Sequence, residues 1–319
     1  VPSSRHLVDP AFLPLLDFFP AAGFNADTLG QIRAMVAELP RPTAPDDGIS
    51  VSERVVPGPS GAPDVRVVIY TPTRSAKPYP VILHLHGGGY VIGSPELADT
   101  NNRLFASAVG CVIVSVDYRL APEAIFPAAV EDSYAALKWV HANAASLGAD
   151  ASRIAVMGES AGGGLAAGLA LLTRDRGEVP LAGQILTYPM IDDRNTDPAK
   201  AHPYAGEFVW TLSSNYYGWT SLLGRAPGGP DTSPYAAAAR AESLAGLPPT
   251  YLSLGDLDLF LEEDLEYVRR LTRDGVPVEM HMYAGAPHGY TLLAEAATAQ
   301  QAIRDQITAM RRILGTTAG

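Results

Sequence analysis

The 319-residue sequence has a single cysteine, Cys111, so it can build neither an internal disulfide framework nor a cysteine-rich metal site. Basic residues are scarce as well. Against 34 Asp and Glu stand 23 Lys and Arg, a net charge of -11, with no Lys/Arg block. Such a surface repels phosphate backbones and anionic lipid, which argues against nucleic acid and membrane surfaces as partners. No uncharged run reads as a membrane span, because the longest, Pro78 to Pro95 and Phe208 to Gly224, are rich in Pro, His, Gly, Asn and Ser. The N-terminal stretch is interrupted by Pro2, Pro10, Pro14 and Pro20 and lacks the basic-then-apolar order of a signal peptide. Repeats and low-complexity tracts are absent too. These exclusions leave an ordinary globular chain, 47% hydrophobic, expected in the cytoplasm and suited to a small uncharged ligand.

What is present is an alternation. From Thr43 onward, apolar runs of strand length (65–70, 81–85, 111–116, 154–157, 184–188, 250–254 and 278–283) alternate with helical patterns near 127–146, 161–175, 262–274 and 298–314. Several strands are apolar on both faces, which predicts an α/β fold with a mostly parallel central sheet between helix layers. The helix over 262–274 carries Leu265, Val268 and Leu271 at helical spacing. Cys111 opens one apolar run and reads as a buried core thiol.

Two regions break the alternation. Residues 1–42 carry helical signals, with Leu29, Ile32, Met35, Val36 and Leu39 on one stripe after a cap at Asp27, and leave through Pro40-Arg41-Pro42. Residues 192–231 show no strand pattern and gather Tyr204, Phe208, Trp210, Tyr216, Tyr217 and Trp219. Both regions are expected to be helical cap parts over the ligand-bearing edge of a catalytic domain made of 43–191 and 232–319. Each of those aromatics serves equally well as core for a small helical lobe.

Gly158-Glu159-Ser160-Ala161-Gly162 has the G-x-S-x-G form of a nucleophile elbow. The match gains weight from its setting, an apolar strand before it and a helix start of small residues after it. Such a turn strains the serine backbone and leaves no room for bulky neighbours. His86-Gly87-Gly88-Gly89-Tyr90 ends another strand, and its glycines let successive N–H groups converge where an oxyanion develops. The expected donors are Gly88 and Gly89, with Ala161 beyond the nucleophile.

A serine nucleophile needs a base, and the base a carboxylate. In this architecture the order is Ser, acid, His, and only His202, His281 and His288 follow Ser160. His202 falls in the cap and His281 inside a strand, whereas His288 lies in a loop just past a strand end. For the acid, Asp256 and Asp258 both sit on the loop before the helix at 262, and spacing does not separate them. Either can instead cap that helix. His84 and His86 have a metal-compatible spacing but no third ligand nearby, and His86 is expected to brace the glycine loop. Arg119 and Glu123 are expected to form a structural ion pair.

Taken together, His86 to Tyr90, Asp117-Tyr118-Arg119-Leu120-Ala121-Pro122-Glu123 with Phe126-Pro127, Gly158 to Gly163, Tyr188-Pro189, Asp258-Leu259-Phe260 and His288-Gly289 resemble the hormone-sensitive-lipase-like branch of the α/β-hydrolases, the bacterial family IV esterases. The resemblance spans nearly the whole chain. It implies the α/β-hydrolase fold and a serine carboxylesterase acting on short-chain acyl esters through a Ser160-His288-Asp258 triad, with Asp256 as the runner-up acid. Substrate contacts at Tyr90, Tyr188, Phe208 and Leu259 are implied with it, no metal or organic cofactor, and pairing of two copies through 278–283 and 298–314. Glu159 stands where many members carry Asp, and Leu259 where many carry Pro. The alternatives that stay open are lactone, carbamate or amide hydrolysis, and a non-catalytic small-molecule receptor of the same fold.

Overall fold

A computed structural model describes residues 3–18, 23–38, 47–74 and 77–316. The seven expected strands form, preceded by one that the hydrophobic pattern does not announce. In chain order they are β1 (Ile49–Val56), β2 (Val65–Pro72), β3 (Tyr79–Leu85), β4 (Val112–Asp117), β5 (Ala149–Glu159), β6 (Gly183–Thr187), β7 (Thr250–Gly255) and β8 (Val278–Tyr283). They make one sheet in the order β1-β2-β4-β3-β5-β6-β7-β8. β1, β2 and β4 pair antiparallel, and from β4 across to β8 every pairing is parallel. β1 escapes a hydrophobic reading because it is an edge strand with mostly exposed side chains.

Helices cover both faces, and the period-two alternation of the central strands decides what each face receives. Val81, Leu83, Val112, Val114, Ile154 and Val156 point into the core beneath α4 (Ala128–Asn143) and α5 (Ala161–Arg176). Ile82, Ile113, Ala155 and Met157 point the other way, into a core with Cys111 that α3 (Asp99–Val109) and α8 (Ala297–Leu314) close. Burial in that second core raises the Cys111 thiol well above its ordinary value. α3 was not expected from periodicity, since it buries Asn102 and Arg103 beside Phe105 and Val109. In α7 (Leu261–Arg273) the inward face is Glu263, Asp264, Tyr267 and Leu271, while Leu265 is exposed.

The N-terminal region contributes α1 (Leu13–Phe18) and α2 (Ala26–Ala37). The cap of α2 is Asn25, not Asp27: its side chain accepts from the N–H groups of Asp27 and Thr28, and Thr28 returns the bond to the Asn25 N–H. Leu29 and Ile32 of the expected stripe are buried and Met35 is exposed. Leu39 and the Pro40-Arg41-Pro42 exit lie outside the described residues. Within 192–231 the only α-helix among the described residues is α6 (Leu212–Leu223), preceded by irregular chain. No described helix is long and apolar enough to cross a membrane.

Candidate active site

The parallel strands β3, β5, β6, β7 and β8 all end at one edge of the sheet, where ligands gather in open α/β folds. Between β5 and α5 the chain reverses at Ser160, held at φ 57° and ψ -124°. A non-glycine residue there costs roughly 1–3 kcal/mol and persists only when its surroundings over-determine it. They do: Ser160 N–H donates to Thr187 O at 2.9 Å, and its carbonyl accepts from Gly164 and Met190 N–H, both at 2.9 Å. Gly162 must lack a side chain, since a Cβ on it would lie 2.0 Å from the Leu85 carbonyl oxygen.

Ser160 Oγ lies 2.9 Å from His288 Nε2, and His288 Nδ1 lies 2.8 Å from Asp258 Oδ2. All three are buried, Asp258 completely. The Phe260 N–H donates to Asp258 Oδ1 at 3.0 Å, fixing the carboxylate plane. Asp256 does not reach the imidazole. It accepts from the Gly285 N–H at 2.7 Å and so anchors the loop that carries His288, and burial raises its carboxyl above the ordinary range. His281 pairs with Glu279 on the edge strand, and His202 accepts from the N–H groups of Tyr204 and Ala205 within 192–231. Neither joins the cluster.

On the facing side lies the loop after β3. Gly88, at φ 125°, bends the chain so that the N–H groups of Val91 and Ile92 both donate to its carbonyl at 3.0 Å. The N–H groups of Gly88, Gly89 and Ala161 make no hydrogen bond among the described residues, three free donors beside a buried serine. The expected brace is more elaborate than His86 alone. His86 stacks on Tyr118 at 4.3 Å and donates through Nδ1 to Gly87 O at 2.8 Å, and burial lowers its pKa. Glu159 accepts from the Gly87 N–H at 3.0 Å and from His84 Nε2 at 3.0 Å, while His84 Nδ1 meets Ser115 Oγ. Burial opposes the Glu159 charge, but His84 and the Gly87 N–H outweigh it and hold the carboxyl below its ordinary value. The two histidines thus point to different partners, and among the described residues no three His, Cys, Asp or Glu side chains gather as a metal would require.

The ion pair expected between Arg119 and Glu123 does not form. Arg119 forks onto Asp132 at 2.8 and 2.7 Å, because that carboxylate is buried on α4 and needs a cation, while Glu123 is gripped by Arg33 of α2.

Aromatic rings enclose the imidazole: Tyr188 at 4.8 Å, Phe260 at 5.1 Å and Trp210 at 6.4 Å between centroids. Trp210, which sequence reasoning left among undifferentiated cap aromatics, lies so close over Gly89 that a Cβ there would come within 2.1 Å of the indole. It is delivered by a γ-turn: its N–H donates to Phe208 O at 2.8 Å across Val209, whose φ is 64°. Of the residues nominated to touch substrate, Tyr188 faces the imidazole and Phe208 is half-buried beside this turn. Tyr90 and Leu259 are buried, Tyr90 with its hydroxyl donated to Met190 O at 3.0 Å and Leu259 beneath Gly206.

Comparison with known proteins identifies the family. The sequence profile of a family described as alpha/beta hydrolase fold matches residues 82–292. Esterase LipI of Mycobacterium tuberculosis is 34% identical over 96% of this chain and 95% of its own length, and Carboxylesterase NlhH of the same species 35% over 98% of each. Among solved structures, a bacterial heroin esterase superposes with a TM-score of 0.88 at 40% identity, covering 98% of this chain and 99% of its own. Esterase LipW from Mycobacterium marinum gives 0.83 at 32% identity, over 97% and 96%. The chain belongs to the hormone-sensitive-lipase-like branch of the α/β-hydrolases and is a carboxylic ester hydrolase.

Proposed function

We propose that the enzyme hydrolyses short-chain acyl esters through an acyl-enzyme on Ser160. The observation that carries this reading is the unbroken relay of 2.9 and 2.8 Å from Ser160 through His288 to Asp258, with three unpaired N–H groups beside it. His288 takes the Ser160 proton as Oγ attacks the ester carbonyl, and Asp258 holds the imidazole in the right tautomer and stabilises its cation. Gly88, Gly89 and Ala161 N–H bind the developing oxyanion. The imidazolium then protonates the departing alcohol, and water repeats the steps on the acyl-enzyme.

The preference for short acyl chains rests on how little room is left at the site. Ser160 and His288 are 7% and 6% exposed, and the indole of Trp210 lies against Gly89. On this reading 1–42 and 192–231 form a cap over a catalytic domain of 43–191 and 232–319. Chromogenic esters of increasing acyl length test the preference: kcat/KM peaks at a few carbons, and a maximum at long chains would contradict it. Matched ester, lactone, carbamate and amide substrates run alongside separate ester hydrolysis from the other acyl chemistries. The edge strand β8 with α8 is the proposed pairing surface of a homodimer, which sedimentation tests directly.

A further inference from the structure

We propose that Arg33, on the N-terminal helix α2, is a positioning residue for the reaction, holding the turn that carries the Gly88 and Gly89 N–H groups; this rests on their reading as oxyanion donors. Arg33 lies more than fifty residues before that turn, yet its Nε donates to Val91 O at 2.8 Å and its Nη2 to Ala121 O at 2.8 Å. Val91 closes the turn by donating to Gly88 O, and Ala121 N–H donates to Tyr90 O at 2.9 Å. One planar guanidinium therefore ties together the two strands of chain that shape the turn, and its fork to Glu123, at 2.6 and 2.9 Å, sets its plane.

The turn is held from inside by the catalytic domain, through Glu159 to Gly87 N–H and Tyr90 Oη to Met190 O. From outside, Arg33 holds it through the Val91 and Ala121 carbonyls. α2 reaches the same turn a second way, since Phe24, just before its cap, packs on Trp210 at 5.2 Å and Trp210 covers Gly89. The Glu123 side chain is 64% exposed, so the ion pair by itself contributes little, and the work falls to the two carbonyl contacts. Replacing Glu123 should therefore matter far less than replacing Arg33.

The test compares Arg33→Ala, Arg33→Lys and Glu123→Ala in steady-state hydrolysis of a short chromogenic ester and in inhibition by an alkyl trifluoromethyl ketone, whose serine adduct places an oxyanion among those donors. Arg33→Ala is expected to lose about tenfold in kcat, a fraction of the 100- to 1000-fold that deleting a donor costs. It should lose a similar factor in ketone affinity and change KM less than twofold. Lysine cannot reach both carbonyls and Glu123 at once, so Arg33→Lys should fall between the alanine variant and wild type, and it carries the test should the alanine variant not fold. Glu123→Ala should stay within about threefold of wild type. Arg33 borders an open surface depression of about 540 Å³, so added guanidinium should reach the vacated place and restore part of the kcat of Arg33→Ala. Equal losses in Arg33→Ala and Glu123→Ala, a wild-type-like Arg33→Lys, or a loss confined to KM with ketone affinity intact would overturn the proposal. A wild-type enzyme indifferent to the ketone would instead overturn the oxyanion reading beneath it.

Discussion

Four non-glycine residues around the active site, Tyr90, Ser160, Tyr188 and Val209, sit in left-handed backbone that their side chains disfavour, and two of them, Ser160 and Val209, are held there by opposite means. Ser160, at φ 57°, is locked by main-chain bonds to Thr187, Gly164 and Met190, with glycines packed against neighbouring carbonyls. Val209, at φ 64° and β-branched, is held by one bond across its own turn and by side chains that fasten Trp210. Trp210 Nε1 donates to Asn215, which donates to Asn195 O, and Asn195 donates to Leu259 O next to Asp258. Backbone packing holds the proposed nucleophile Ser160 in place. The hold on Trp210 depends on a chain of side chains. On the proposed reading, the chemistry is set at the first site and access at the second.

Substitutions that break the first site should cost the most. Ser160→Ala removes the proposed nucleophile and is expected to lower kcat about 10⁵- to 10⁶-fold, since triad members act as a unit. Asp258→Asn leaves the shape but frees the wrong tautomer, an expected loss of about 10⁴-fold, whereas Asp256→Asn should stay within about tenfold because Asp256 only anchors the Gly285 N–H. Parity between the two aspartate variants would exchange their roles. At the second site, Trp210→Ala should leave hydrolysis of acetyl esters within about tenfold and shift the kcat/KM ratio of hexanoyl to acetyl ester upward by about tenfold, the size of effect that pocket methylenes carry. An unchanged ratio would remove Trp210 from access control.

The smallest effect sharpens the comparison through pH. The Glu159 carboxyl is held below its unfolded value, so the unfolded chain binds the extra proton and stability rises with pH across that window. Its contribution is complete above the ordinary glutamate value of 4.5 and is lost as pH falls through the lower folded value. Glu159→Gln should therefore narrow the stability difference from wild type as urea midpoints are followed from pH 6 down towards 3, and an undiminished gap at pH 3 would show that Glu159 acts by packing alone.

The local features were legible in the sequence. A tight strand-to-helix turn demands small residues in a row, so Ser160 announces itself, and a glycine run after an apolar strand does the same for the loop at 86–90. His288 was reachable because only one later histidine lies just past a strand end. Asp258 and Asp256 were inseparable because two positions along a loop say nothing about which side chain turns to the imidazole, and the resemblance had to choose. Non-local pairings were illegible in principle. Arg119 and Glu123 look like a pair along the chain but find Asp132 and Arg33, one set by a buried carboxylate on α4 and the other by a helix from the opposite end of the sequence. β1 was missed because an exposed edge strand carries little hydrophobic period, and α3 because the face it buries includes the polar Asn102 and Arg103 beside Phe105 and Val109.

The central claim is that Ser160 is the one nucleophile, activated by His288. Treating the wild-type enzyme with an organophosphate ester and mapping the adduct by peptide mass spectrometry tests it most directly. The account predicts a single adduct on Ser160, formed in step with loss of esterase activity and absent from Ser160→Ala and His288→Ala; activity that survives full labelling of Ser160, or inactivation with the label elsewhere, would contradict it.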